Sequence, residues 1–94
     1  MRVLVVDDNQ DFLLLATKAL EAAGHVVDVQ ASAFGLVNRV AGASGAAPDV
    51  VMLDCDLPGL TGPAALDLLA RDRRTQLVPV VLVSAAASPG HRAA

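Results

Sequence analysis

Val3-Leu4-Val5-Val6-Asp7-Asp8-Asn9 near the start of the chain and Pro48-Asp49-Val50-Val51-Met52-Leu53-Asp54 in its middle are built alike. Each carries a short aliphatic run, rich in Val, that stops at an aspartate. Apolar runs of this length without alternation mark strands covered on both faces, and Asp and Asn after them favour turns and helix caps. Pro79-Val80-Val81-Leu82-Val83 repeats the pattern and ends at Ser84. His25 to Gln30 alternates only in part, so it is expected to be a strand exposed on one side, at a sheet edge.

Helical spacing fills the intervals. From Gln10 to Ala23 the apolar positions Phe12, Leu15, Ala16, Ala19, Leu20 and Ala23 predict a helix, with Asp8 or Asn9 as its N-cap and Gly24 at its stop. Ser32 to Ala41 carries Ala33, Leu36, Val37 and Val40 at helical spacing, but Gly35 predicts a short, weak helix running into the Gly42-Ala43-Ser44-Gly45 loop. After the turn-rich Leu57-Pro58-Gly59-Leu60, Thr61 is placed to cap a third helix, with Pro63 in its first turn and Leu66, Leu69 and Ala70 inward. Arg71, Arg73 and Arg74 suit the negative end of that helix dipole and read as a solvated helix end. Strand and helix alternate with short connections, and fully apolar strands require cover on both sides. The fold class is therefore α/β, a doubly wound parallel sheet of about four strands; a flavodoxin-like order, 2-1-3-4, would set the first and third strands side by side.

Composition narrows the function. Ninety-four residues suffice for one domain, and 54% hydrophobic against 18% charged residues excludes a disordered segment. With two Phe and no Tyr or Trp, the core is Val, Leu and Ala. A net charge of −3 with scattered basic residues argues against direct nucleic-acid binding. Cys55 stands alone, so no intrachain disulfide forms, and the first apolar run is too short for a secretory core or a membrane span. A cytoplasmic protein without membrane contact is the expectation.

In open α/β sheets ligands bind beyond the carboxyl ends of the strands, where strand order reverses. Asp7, Asp8, Asp54 and Ser84 all fall there. Three carboxylates at close range repel unless a cation or protons intervene. A hard, oxygen-seeking ion such as Mg²⁺ suits them, since no Cys/His set with zinc spacing exists in the sequence. Such an ion would polarise an incoming phosphoryl group, and Asp54 is the candidate nucleophile. Asp54-Cys55-Asp56 after a strand also resembles the opening of haloacid-dehalogenase-type phosphatases, but the paired Asp7-Asp8 on an earlier strand and the short chain count against that class. Cys55 reads as small apolar filling rather than a redox thiol, and His25 and His91 lack ligand-spaced partners.

Taken together, Val5-Val6-Asp7-Asp8-Asn9, Pro48 to Asp54 with Leu57-Pro58-Gly59, Gly62 at the start of the third helix, and Pro79 to Ala85 resemble the receiver domain of two-component response regulators, of the chemotaxis type, from Met1 to about residue 88. Residues 89–94 then form a tail. The resemblance implies that Asp7 and Asp8 hold Mg²⁺ (or Mn²⁺), that Asp54 is both metal ligand and phosphoacceptor, and that the Asp56 backbone carbonyl completes the metal shell. It implies that the Ser84 hydroxyl bonds the phosphoryl oxygens and that Ala85 leaves the site open. The donor would be a histidine kinase or phosphotransfer protein, or a small acyl phosphate. Such a chain is a phosphoacceptor rather than an enzyme, with self-phosphorylation and autodephosphorylation as its only chemistry.

A complete receiver continues beyond the position of Ser84 with a helix, a strand and a helix, on the order of 30 to 35 residues; ten follow here. By the resemblance the chain reads as C-terminally truncated and without the family's phosphate-pairing lysine. Its only lysine, Lys18, lies inside the first helix, and Arg92 lies in the tail. A fixed cation at such a site is commonly worth a few kcal/mol in the transition state, so slow or uncoupled phosphorylation is expected, with a pseudo-receiver scaffold as the alternative function. An uncovered Pro79–Ser84 edge predicts a homodimer through that edge or the adjacent helix faces.

Overall fold

Val3, Val5 and their neighbours Leu4 and Val6 alternate along one extended strand, so they necessarily point to opposite faces of a sheet. The computed structural model, which describes residues 1–43 and 45–83, puts a different layer on each face. Strand β1 (Arg2–Val6) leads to helix α1 (Gln10–Ala22), strand β2 (Val26–Gln30), helix α2 (Leu36–Val40) and strand β3 (Val50–Asp54). A two-strand ribbon follows, β4 (Asp56–Leu57) and β5 (Leu60–Thr61), then helix α3 (Gly62–Arg71) and strand β6 (Val80–Val83). The four long strands form one parallel sheet in the order β2-β1-β3-β6, which is the 2-1-3-4 order expected of the long strands.

Leu4 and Val6 of β1 and Val51 and Leu53 of β3 pack with Leu36 and Val40 of α2 and with Ala65 and Leu69 of α3. Val3 and Val5 pack on the other face with Leu13 of α1, flanked by Phe12, Ala16, Leu20, Val27, Val50 and Met52. Each fully buried Val or Leu contributes roughly 1.5–3 kcal/mol of transfer free energy, so the two central strands carry the stability. β2 and β6 are half exposed, with Val26, Val29, Val81 and Leu82 open to solvent.

Three expectations are corrected. The inner face of α1 runs through Phe12, Leu13, Ala16 and Leu20, while Leu15 is 67% exposed. Four consecutive apolar residues, Phe12 to Leu15, left the face ambiguous, and packing on β1 selected it. On α3 the inward residues are Ala65 and Leu69, and Leu66 and Ala70 are exposed. Gly62, at the start of this helix, packs against Cys55, and the buried stripe runs Gly62, Ala65, Leu69. Helix α2 starts only at Leu36 because Gly35, at φ 67°, is left-handed, a conformation that ends any earlier helical turn. The Gln30 side-chain amide donates to the carbonyls of Ser32 and Phe34 across the loop before it. Asp28 then links the short helix to β1, forming an ion pair with Arg39 at 3.5 Å while accepting a hydrogen bond from Arg2 at 2.9 Å. The β4–β5 ribbon was not expected at all. Ser84, Ala85, His91 and Arg92 lie outside the described residues, as does the proposed tail.

Candidate functional site

β1 and β3 are adjacent and parallel, with Val6 opposite Leu53, so the aspartates that end them emerge side by side. Each is fastened by the same local device. Asp7 Oδ1 accepts the Asn9 N–H at 2.8 Å, and Asp54 Oδ1 accepts the Asp56 N–H at 3.0 Å. A carboxylate that bonds the backbone two residues on mimics a turn, which explains why the chain leaves each strand sharply. Asn9 caps α1 through its own Oδ1, which accepts from Phe12 N at 3.0 Å.

Asp7 is 7% exposed and Asp54 9%, while Asp8 is open to solvent. One oxygen from each of Asp7, Asp8 and Asp54 falls within 4.8 Å of the others. Burial raises the Asp7 carboxyl above its ordinary value; the Asn9 N–H opposes this, and the charges of Asp54 and Asp8 and a side-chain hydrogen bond to Asp54 add to the rise. A carboxyl that resists ionisation beside two others is what a divalent cation would relieve, and an all-oxygen donor set fits Mg²⁺ or Mn²⁺. The cluster opens into a cavity of about 290 Å³ lined by Asp7, Asp8, Asn9, Phe12, Asp54, Asp56 and Val83.

The structure thus brings together Asp7, Asp8 and Asp54 and sets Asp56 on the same cavity wall. Val83, which ends β6, closes the cavity on the far side; its neighbour Ser84 is not among the described residues. Phe12 was read from the sequence as core and proves to line the cavity as well, a double role that helical spacing alone does not reveal. Cys55 sits half buried behind the cluster, its thiol pushed up by burial and by the carboxylates of Asp56 and Asp54. Thiolate is disfavoured there, in keeping with apolar filling.

Comparison with known proteins agrees with the geometry. Residues 3–94 match the model of the response regulator receiver domain. The chain is 39% identical over 83 residues to Protein PilH of Pseudomonas aeruginosa, covering 88% of this chain and 66% of that protein. It is 37% identical over 84 residues to the DNA-binding dual master transcriptional regulator RpaA of Synechocystis, covering 89% of this chain and 34% of that one. The chain therefore spans about two thirds of the first relative and one third of the second. Among solved structures, a sensor protein from Polaromonas superposes with a TM-score of 0.81 at 31% identity, over 97% of this chain and 70% of that one. The N-terminal domain of a response regulator receiver protein from Methanoculleus marisnigri gives 0.80 at 25%, over 98% and 73%. A family match across nearly the whole sequence, on a sheet whose acid-bearing strand ends meet in one cavity, establishes that this chain belongs to the response regulator receiver domains.

Proposed function

We propose that Asp54 accepts a phosphoryl group from a phosphohistidine on a partner kinase or phosphotransfer protein, with Asp7, Asp8 and the Asp56 carbonyl holding Mg²⁺ beside it. The observation that carries this is the convergence of three carboxylates from two strand ends in one open cavity. When bound, the cation supplies charge neutralisation of the phosphoryl oxygens and of the cluster itself.

The residues of the chain do the rest. Asp54 presents an oxygen at the cavity floor, its other interactions fixed by the Asp56 N–H, so the nucleophile is oriented before the donor arrives. Its carboxylate oxygen forms the new O–P bond as the donor's N–P bond breaks, and the departing imidazole takes its proton from solvent. Asp7 and Asp8 stay unmodified, and Phe12 gives the mouth an apolar wall against which a donor ring can rest. Ser84 and Ala85 are assigned the phosphoryl-hydroxyl and access roles by the same reading. The exposed Val81 and Leu82 on β6 support a further part of it, association of two copies through that edge. No helix among the described residues is long and apolar enough to cross a membrane, and a cytoplasmic setting fits a phosphohistidine donor.

The test is incubation with Mg²⁺ and a small acyl phosphate, followed by intact mass, with Asp54→Ala as control. One phosphoryl adduct is expected on the parent chain and none on the variant. An unmodified parent that also fails to bind beryllofluoride leaves the scaffold function instead.

A further inference from the structure

Cys55 lies between the nucleophile and the residue whose carbonyl is assigned to the metal, and both of its backbone groups are held. Its N–H donates to the Val83 carbonyl at 2.9 Å, and its carbonyl accepts the Gly62 N–H at 2.9 Å. The segment from Asp56 to Thr61 is closed on itself by the ribbon, with Asp56 opposite Thr61 and Leu57 opposite Leu60. Thr61 in turn caps α3 by accepting the Ala64 N–H at 3.2 Å. The start of α3 is therefore bolted to the peptide that separates Asp54 from Asp56.

At that bolt the fit is tight. A Cβ built on Gly62 would lie 3.2 Å from Cys55 Sγ, 3.3 Å from its Cα and 3.4 Å from its Cβ. The sulfur could give way, but the Cα could not move without dragging its neighbours Asp54 and Asp56, because β6 holds the same peptide from the other side. Gly62 is not needed for its backbone angle: the left-handed glycines are Gly24, Gly35, Gly42 and Gly59. Alanine at this position would be at home in a helix, so any cost of it there comes from contact alone.

We infer that Gly62 and Cys55 form a paired positioning contact that sets the Asp54–Asp56 peptide, and with it the divalent-cation affinity of the site. The inference rests on the proposed metal site and adds to it residues that never touch the ion. Residues behind a metal site commonly change affinity about tenfold or more when altered.

The experiment is a Mg²⁺ titration of the full chain, followed through the amide resonances of residues 54–56 in nitrogen-labelled protein. Gly62→Ala is expected to raise the Mg²⁺ Kd about tenfold while leaving the core resonances in place. Cys55→Gly removes the sulfur and Cβ from the contact and leaves only the Cα, so Gly62→Ala made in that background should cost less than it does in the parent chain, a coupling that merely additive damage would not produce. Cys55→Met pushes on the same contact from the other side and should weaken Mg²⁺ with Gly62 intact, which decides the matter if Gly62→Ala does not fold. An unchanged Kd in Gly62→Ala, or in Cys55→Met where that variant decides, overturns the inference, as does an equal loss in both backgrounds. A parent chain that binds no Mg²⁺ overturns the metal site itself, and the positioning contact with it.

Discussion

β1 and β3 run side by side and bring Asp7 and Asp54 to the same end of the sheet, yet the chain leaves them by different routes. After Asp7 it turns directly into α1, which begins at Gln10 and is capped by Asn9. After Asp54 it detours through the β4–β5 ribbon, turning at Gly59 with φ 78°, and α3 begins only at Gly62. The first exit holds Asp7 by the Asn9 N–H at the head of a helix and leaves Asp8 open to solvent. The second leaves Asp54 beside a loop, with space for Asp56 on the cavity wall and for a donor above it. One junction buries a carboxyl; the other leaves the cavity wall beside Asp54 open.

The helices also end differently, which gives the sharpest test. α1 stops on backbone hydrogen bonds, Gly24 N to Glu21 O at 3.0 Å and His25 N to Leu20 O at 3.1 Å. α3 instead relies on a side chain: Thr75, 1% exposed, donates its hydroxyl to Leu69 O at 2.6 Å. Thr75→Val keeps the shape and leaves that buried carbonyl without its partner, so it should destabilise by about 2 kcal/mol in urea unfolding. A cost near zero would show that α3 is held by its start alone.

The next effect lies at the junction after Asp7. Asp7 keeps its proton above the ordinary carboxylate range when folded, so the folded state binds more protons than the unfolded one across the interval between the two values. The contribution of Asp7 to stability is thus full below the ordinary value and is lost as pH rises through the raised one. Without divalent cations the melting temperature should fall as pH rises from the ordinary carboxylate value through the raised one, and Mg²⁺ should restore it at neutral pH. Asp7→Asn removes the charge and retains an acceptor for the Asn9 N–H, so it should raise the cation-free Tm at neutral pH by ~4 °C, the shift that about 1 kcal/mol gives in a small domain. It should also abolish the Mg²⁺ response. Calorimetry across pH with and without Mg²⁺ reads both, and a lower cation-free Tm in the variant would break the assignment of repulsion to this cluster.

How far the sequence revealed this contrast depends on range. The acid-terminated runs gave the central strands, their burial and the aspartates that meet beyond them, because a fully apolar strand followed by Asp has few ways to fold. The strand order needed the flavodoxin-like pattern as well. The faces of α1 and α3 could not be read this way, since Phe12 to Leu15 offers two plausible stripes and the choice is made by contacts distant in sequence. The β4–β5 ribbon was invisible because two-residue strands carry no periodicity. Thr75 and the Gly62–Cys55 contact escape for a related reason: a hydroxyl reaching back to Leu69 and a glycine packed closely against Cys55 leave no local pattern.

The smallest difference separates the two caps. Asn9 and Thr61 each satisfy one free N–H at a helix start, at 3.0 and 3.2 Å. Alanine at Asn9 should cost about 1 kcal/mol, typical of a lost N-cap. At Thr61 the cost should be about half that, because Pro63 presets the first turn and the Gly62 N–H is already bonded to Cys55. Two urea midpoints at matched slope measure the pair. If Thr61→Ala proves the costlier, the ribbon does not hold α3 in place by itself, and the junction after Asp54 is kept together by its cap.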